Sequence, residues 1–160
     1  MAGTGLHAGL GRARAARLSP VRLTPVQVVE PIAGQPPWAS LDPGYVVAVD
    51  AAWRQQSAAI AAVVWRPGGP VAAYATPLAF CATTVEAEAI AIVSAAALLR
   101  EMLAPSDSVI CTDCLEALKQ VGPRVSGFRA FKVRRRAVEA ADFVARATVQ
   151  CTVRARAGKS

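Results

Sequence analysis

Residues 45–50, YVVAVD, are apolar on both alternating faces until an acid closes the run: Val47 and Val49 point one way, Val46, Ala48 and Asp50 the other. Such a strand cannot present either face to water, so it belongs at the centre of a sheet covered by a layer on each side. The following residues supply the rest of that arrangement. The pattern predicts a second strand over 57–66, a turn at Pro67-Gly68-Gly69-Pro70 and a third strand over 71–80, together an antiparallel meander. Thr83 or Thr84 then caps a helix expected to run to about Leu103. A fourth strand over 107–113, a short helix over 114–121, a fifth strand over 128–135 and a last helix over 137–148 complete the series. Three antiparallel strands followed by two parallel ones make an α/β fold, a five-stranded mixed sheet flanked by helices.

This places a domain at 45–148. Residues 1–44 hold six of the eleven prolines without a sustained period, and are expected to form an extended or disordered basic arm, with VRLTPVQVV packing along the domain. Residues 149–160 are expected to be a basic tail. With 54% hydrophobic residues the domain can bury a core without staples. The longest apolar stretches fall short of the ~20 residues that span a bilayer, and the N-terminus lacks a compact apolar segment of secretory type. A cytoplasmic protein is expected, although four arginines before the first acid, Glu30, also suit an organelle transit segment. The four cysteines read as reduced thiols. Cys111 and Cys114 form a C-x-x-C, but no second pair follows and the single histidine, His7, lies in the arm, which argues against zinc.

The charge of +7 is divided unevenly. Residues 1–44 carry four bases and two acids, residues 45–123 four bases and seven acids, and residues 124–160 ten bases and two acids. An acidic centre between basic ends suits a cation site beside a surface for a polyanion such as nucleic acid. Four acids stand where apolar elements ordinarily exclude charge: Asp50 closing the apolar run YVVAVD within a strand expected over 45–55, Asp113 closing SVICTD, Glu88 on the helical face of Ile92, Ala95, Leu99 and Met102, and Asp142 within VEAADFVARA. Glu86 lies about 200° from Glu88 around the helix, so only one of them can face inward. Taken singly, each acid has an ordinary structural explanation; Asp142, for instance, can pair with Arg146 at i+4. Taken together at one sheet edge, they have the donor chemistry that two Mg²⁺ ions require. Trp53 and Trp65 read as packing residues.

In the segments VVAVDAAW, TTVEAEAIAI, VICTDCLEAL and AADFVARA, the chain resembles the ribonuclease H-like superfamily, most closely its compact ribonuclease H family of the plant and retroelement type. The resemblance covers residues 45–148. It implies a metal-dependent endonuclease that cleaves the RNA strand of RNA–DNA hybrids, with Asp50, Glu88, Asp113 and Asp142 as catalytic metal ligands for two Mg²⁺ or Mn²⁺ ions. The chain departs from the family pattern at Cys114, where the family has serine, at Lys132, where many members carry histidine, and at Val138, where they carry asparagine. Only 28 residues separate Asp113 from Asp142, which leaves no room for a basic substrate-binding protrusion. Lys132, Arg134 and Arg136 are the expected grip on nucleic acid in its place. Two other functions share the pattern: a catalytically silent domain that binds nucleic acid or protein, and a nuclease for DNA or DNA junctions.

Overall fold

A computed structural model of the chain describes residues 18–27, 44–66, 69–79 and 81–158. Its sheet has seven strands among these residues, in the order β1-β4-β3-β2-β5-β7-β6. The strands are β1 (Thr24–Pro25), β2 (Val46–Arg54), β3 (Ser57–Arg66), β4 (Gly69–Leu78), β5 (Val109–Thr112), β6 (Arg124–Val125) and β7 (Phe128–Lys132). Helices α1 (Thr84–Glu101), α2 (Leu115–Val121) and α3 (Glu139–Ala157) cover it, with a 3₁₀ turn at Arg135–Val138 before α3. Strand β2 pairs antiparallel with β3 and parallel with β5, and β5 pairs parallel with β7. The five expected strands are therefore present in the expected senses. The two additional strands, of two residues each, are too short to leave a periodic signature in the sequence.

The double-faced character of β2 is answered by two cores. Val47, Val49 and Ala51 pack with Ile60, Ala62 and Val64 of β3 beneath α1 and α2. Val46, Ala48 and Ala52 pack with Ala59, Ala61, Val63 and Trp65 beneath α3. Small residues dominate both layers, which allows the helices to approach the sheet closely. Helix α1 begins at a reciprocal cap: the Glu86 N–H donates to Thr83 Oγ1 at 3.1 Å, and the Ala82 N–H donates to Glu86 Oε2 at 3.0 Å.

Part of the arm is laid against the sheet. Leu23 is buried, the Val21 N–H donates to Ser94 Oγ of α1 at 3.0 Å, and Thr24–Pro25 pairs with Tyr74 and Ala75 along β4. Proline tolerates this outermost position because an edge strand need not donate on its open side. The arm's other residues, 1–17 and 28–43, lie outside the described residues.

The expected tail requires a correction, because α3 continues through Ala157. Val149 is buried and Val153 half-buried, so the apolar stripe does not stop at Thr148, and Arg154 and Arg156 complement the negative end of the helix dipole. No helix among the described residues is long and apolar enough to cross a membrane.

Candidate metal centre

Strand register explains why two distant aspartates meet. Ala48 of β2 lies level with Cys111 of β5, so two residues further on Asp50 comes level with Asp113, where β5 has ended and the chain turns into α2. Ala61 lies opposite Asp50 on β3 and leaves space around the carboxyl. Glu88 enters from the second turn of α1. Its Oε1 accepts the Ala51 N–H at 3.2 Å, a bond that clamps the helix to the strand carrying Asp50. One carboxylate oxygen from each of Asp50, Glu88 and Asp113 lies within 4.8 Å of the others.

The electrostatics of this triad are costly without a cation. Asp50 is 5% exposed and Glu88 6%. Burial pushes Glu88 up to about 10, with the Asp50 carboxyl, the Asp113 charge and the Cys114 thiol adding to the rise. Burial also lifts Asp50, to about 7; contact with Glu88 lowers it, Asp113 and Asp142 raise it, and the Ala51 N–H lowers it. Glu88 Oε2 is buried and meets no protein donor. A proton shared with the Asp50 carboxyl, or a partner from outside the protein such as a cation, has to satisfy that oxygen. Two buried acids, a half-buried third and an orphaned carboxylate oxygen fit a hard divalent ion of the Mg²⁺ class.

Asp142 stands apart from the triad. Its Oδ1 accepts the Arg146 Nε–H at 3.0 Å, and its side chain is 22% exposed. It nonetheless lies close enough to Asp50 to raise that group. The structure thus brings three of the four expected acids together and sets the fourth at their rim, in the i+4 ion pair open to it from sequence. Lys132 ends β7 level with Thr112, one residue before Asp113. Arg134 and Arg136 follow on the connection to α3, and all three bases are exposed.

Cys111 packs in the core beneath α3, whereas Cys114 packs against the core beneath α1, so the C-x-x-C does not converge on one ion. Trp65 is a core residue, but Trp53 is 37% exposed at the far end of β2, contrary to the packing role expected of it. Reading the sequence missed the Ala51–Glu88 clamp, for which a backbone donor leaves no signal. It also left Arg154 and Arg156 in an expected basic tail, whereas they stand on the last turns of α3.

No protein-family model matches the chain, and no curated protein matches it significantly. Solved structures do. RNase H1 from the halophilic archaeon Halobacterium salinarum NRC-1 aligns at 19% identity and TM-score 0.54, over 66% of this chain and 97% of that one. The N-terminal RNase H domain of a Mycobacterium tuberculosis protein, solved as a fusion with maltose binding protein, aligns at 16% and 0.55 over 70% and 97%. LC11-RNase H1 in complex with RNA/DNA hybrid aligns at 14% and 0.57 over 68% and 99%. At such identities the likeness carries the fold, which is ribonuclease H-like.

Proposed function

We propose that this ribonuclease H-like chain is a metal-dependent endonuclease that cleaves the RNA strand of RNA–DNA hybrids. The observation that carries the reading is the Asp50–Glu88–Asp113 triad, two buried acids and a half-buried third, whose unanswered Glu88 oxygen suits a cation where the carboxyl end of β5 meets the middle of β2. The RNA/DNA hybrid bound by LC11-RNase H1 supports the choice of substrate.

Asp50, Glu88 and Asp113 would hold the ions, and Asp142 would join them on releasing Arg146. Two Mg²⁺ or Mn²⁺ ions would supply activation of the attacking water and stabilisation of the oxygen that leaves phosphorus. The protein's own part is positional. The Ala51 N–H fixes the Glu88 carboxyl, the β2–β5 register fixes the two aspartates, and Lys132, Arg134 and Arg136 hold phosphates beside the scissile one. Glu88 and Asp50 would share a proton in the absence of ions and would give it up on binding them.

The Asp142–Arg146 pair favours a second reading, a silent domain of this fold that binds nucleic acid or protein without cutting. The deciding assay incubates pure protein with Mg²⁺ or Mn²⁺ and matched hybrid, double-stranded RNA, double-stranded DNA and branched DNA. Cleavage confined to the RNA strand of the hybrid, and abolished by Asp50→Asn and by Asp113→Asn, is expected. Cleavage of DNA or branches alone would change the substrate, and binding without metal-dependent cleavage would leave the silent domain.

A further inference from the structure

A second basic feature lies away from the carboxylates, where the far end of α3 meets the β2–β3 hairpin. A groove of about 290 Å³ is lined there by Gln55, Ser57, Val153, Arg156 and Ala157. Arg156 Nη1 donates to Ser57 Oγ at 2.8 Å, across 99 residues of chain. Ser57 is 2% exposed, so the guanidinium is anchored at a buried hydroxyl, and that hydroxyl's own proton remains available for another acceptor. Arg54 is the cross-strand neighbour of Ser57 and, by strand alternation, projects from the same face as Asp50 and Ala52. Neither arginine makes an ion pair among the described residues, and the groove has no acidic lining residue. A guanidinium anchored in the groove without a counter-charge, with Arg54 at the strand position paired to its anchor, attracts an anion against the partial negative charge at the end of α3.

Helical geometry connects this groove to the metal centre. Arg156 follows Asp142 by fourteen residues, which at ~100° per residue returns it to within about 40° of the same side of α3. At ~1.5 Å per residue the two lie about 21 Å apart along α3, but the Arg156 guanidinium sits at Ser57, whose strand partner Arg54 is four positions, or about 13 Å, beyond Asp50. A duplex advancing ~3.4 Å per step covers the shorter span, from Asp50 to the groove, in roughly four base pairs.

We infer that Arg156, Arg54 and the Ser57 hydroxyl form a phosphate subsite, which takes a backbone phosphodiester of the nucleic acid about four base pairs from the one at the carboxylate centre. The inference rests on the function proposed above, and it adds a measuring element to it: substrates too short to reach the groove lose that anchor.

The test measures fluorescence anisotropy of labelled hybrids in metal-free buffer over a salt series. One hybrid has about 4 base pairs closed by a loop so that it stays paired, too short to span both sites with overhang, and another has about 16. Arg156→Gln should weaken the longer hybrid about three- to tenfold and make its log–log salt slope shallower by about one, while leaving the short hybrid unchanged. Arg156→Lys should keep most of the slope, and Ser57→Ala should give a smaller loss at constant charge. A parallel titration with inorganic phosphate should shift the Ser57 and Gly158 amide signals of the wild type but not of Arg156→Gln. Wild-type affinity and slope in Arg156→Gln on the longer hybrid would overturn the duplex anchor. If the wild type binds no nucleic acid while phosphate still shifts those amides, the nucleic-acid reading fails and the groove stands as a site for free phosphate. If phosphate also shifts nothing, the subsite itself is refuted.

Discussion

Two glutamates two positions apart on one helix do unrelated work. Glu86 completes the cap of α1, whereas Glu88 turns into the sheet, 6% exposed, with one oxygen clamped and the other unanswered. Glu88→Gln is expected to abolish metal-dependent cleavage yet raise the melting temperature of the metal-free protein, because an amide can donate to Asp50 and carries no charge. Glu86→Gln keeps an acceptor for Ala82 and should alter both by little. Inactivation by the second change and not the first, read by cleavage rate and thermal melting together, would reverse the assignment. The raised acids also set a pH dependence. Between the ordinary carboxylate range and about 7, the folded metal-free protein holds protons on Asp50 and Glu88 that the unfolded chain has lost. Stability from this source is therefore complete at acid pH and lost as pH rises through about 7 for Asp50 and about 10 for Glu88. Melting in EDTA should fall between pH 5.5 and 8.5, and Mg²⁺ should lessen the fall by taking the place of the protons. A flat EDTA profile would remove the coupled pair. These carboxylates were visible in the sequence because a charge in an apolar run is conspicuous; their hydrogen-bond partners were not, since Ala51 acts through its backbone.

Among the elements, those with a strong period were legible and those held by distant contacts were not. Strands β2 to β4 and helix α1 announce themselves through valine, alanine and isoleucine patterns, and Thr83 marks the start of α1. The second half of α3, TVQCTVRARA, carries few strong helix-period apolar residues and exposes most of its surface, so only its packing on β2 and β3 reveals it as helix. The β2–β3 hairpin holds a different surprise. Gln55 and Gln56 occupy a two-residue turn with φ of 49° and 63°, a left-handed pair for which Asn-Gly is the natural choice. Gln55→Asn with Gln56→Gly should stabilise the domain by about 1 kcal/mol in denaturant unfolding, the strain of the left-handed conformation being relieved. An unchanged or lower midpoint at constant slope would show that contacts of the glutamine side chains offset the strain.

At the scale of the molecule, the sheet is finished by a piece of chain that lies outside the domain as its sequence pattern delimits it. The expected boundary at Tyr45 follows the onset of periodicity, but the hydrogen-bonding edge of β4 is closed by Thr24–Pro25 and by the Val26 N–H on the Ala73 carbonyl at 3.0 Å. A chain begun at residue 28 should retain the metal centre, which lies across β2 and β5, yet should self-associate through the bared edge of β4 in size-exclusion and light-scattering measurements. A monomer of native melting temperature would show the arm to be dispensable. The same arrangement has a consequence in time. Thr24 meets Ala75 across 51 residues, so during synthesis the first strand made waits for its partner to emerge and fold before it can dock. Each newly made molecule passes through an interval in which the rest of the sheet is built and one side remains adhesive, and the yield of refolding should fall as protein concentration rises.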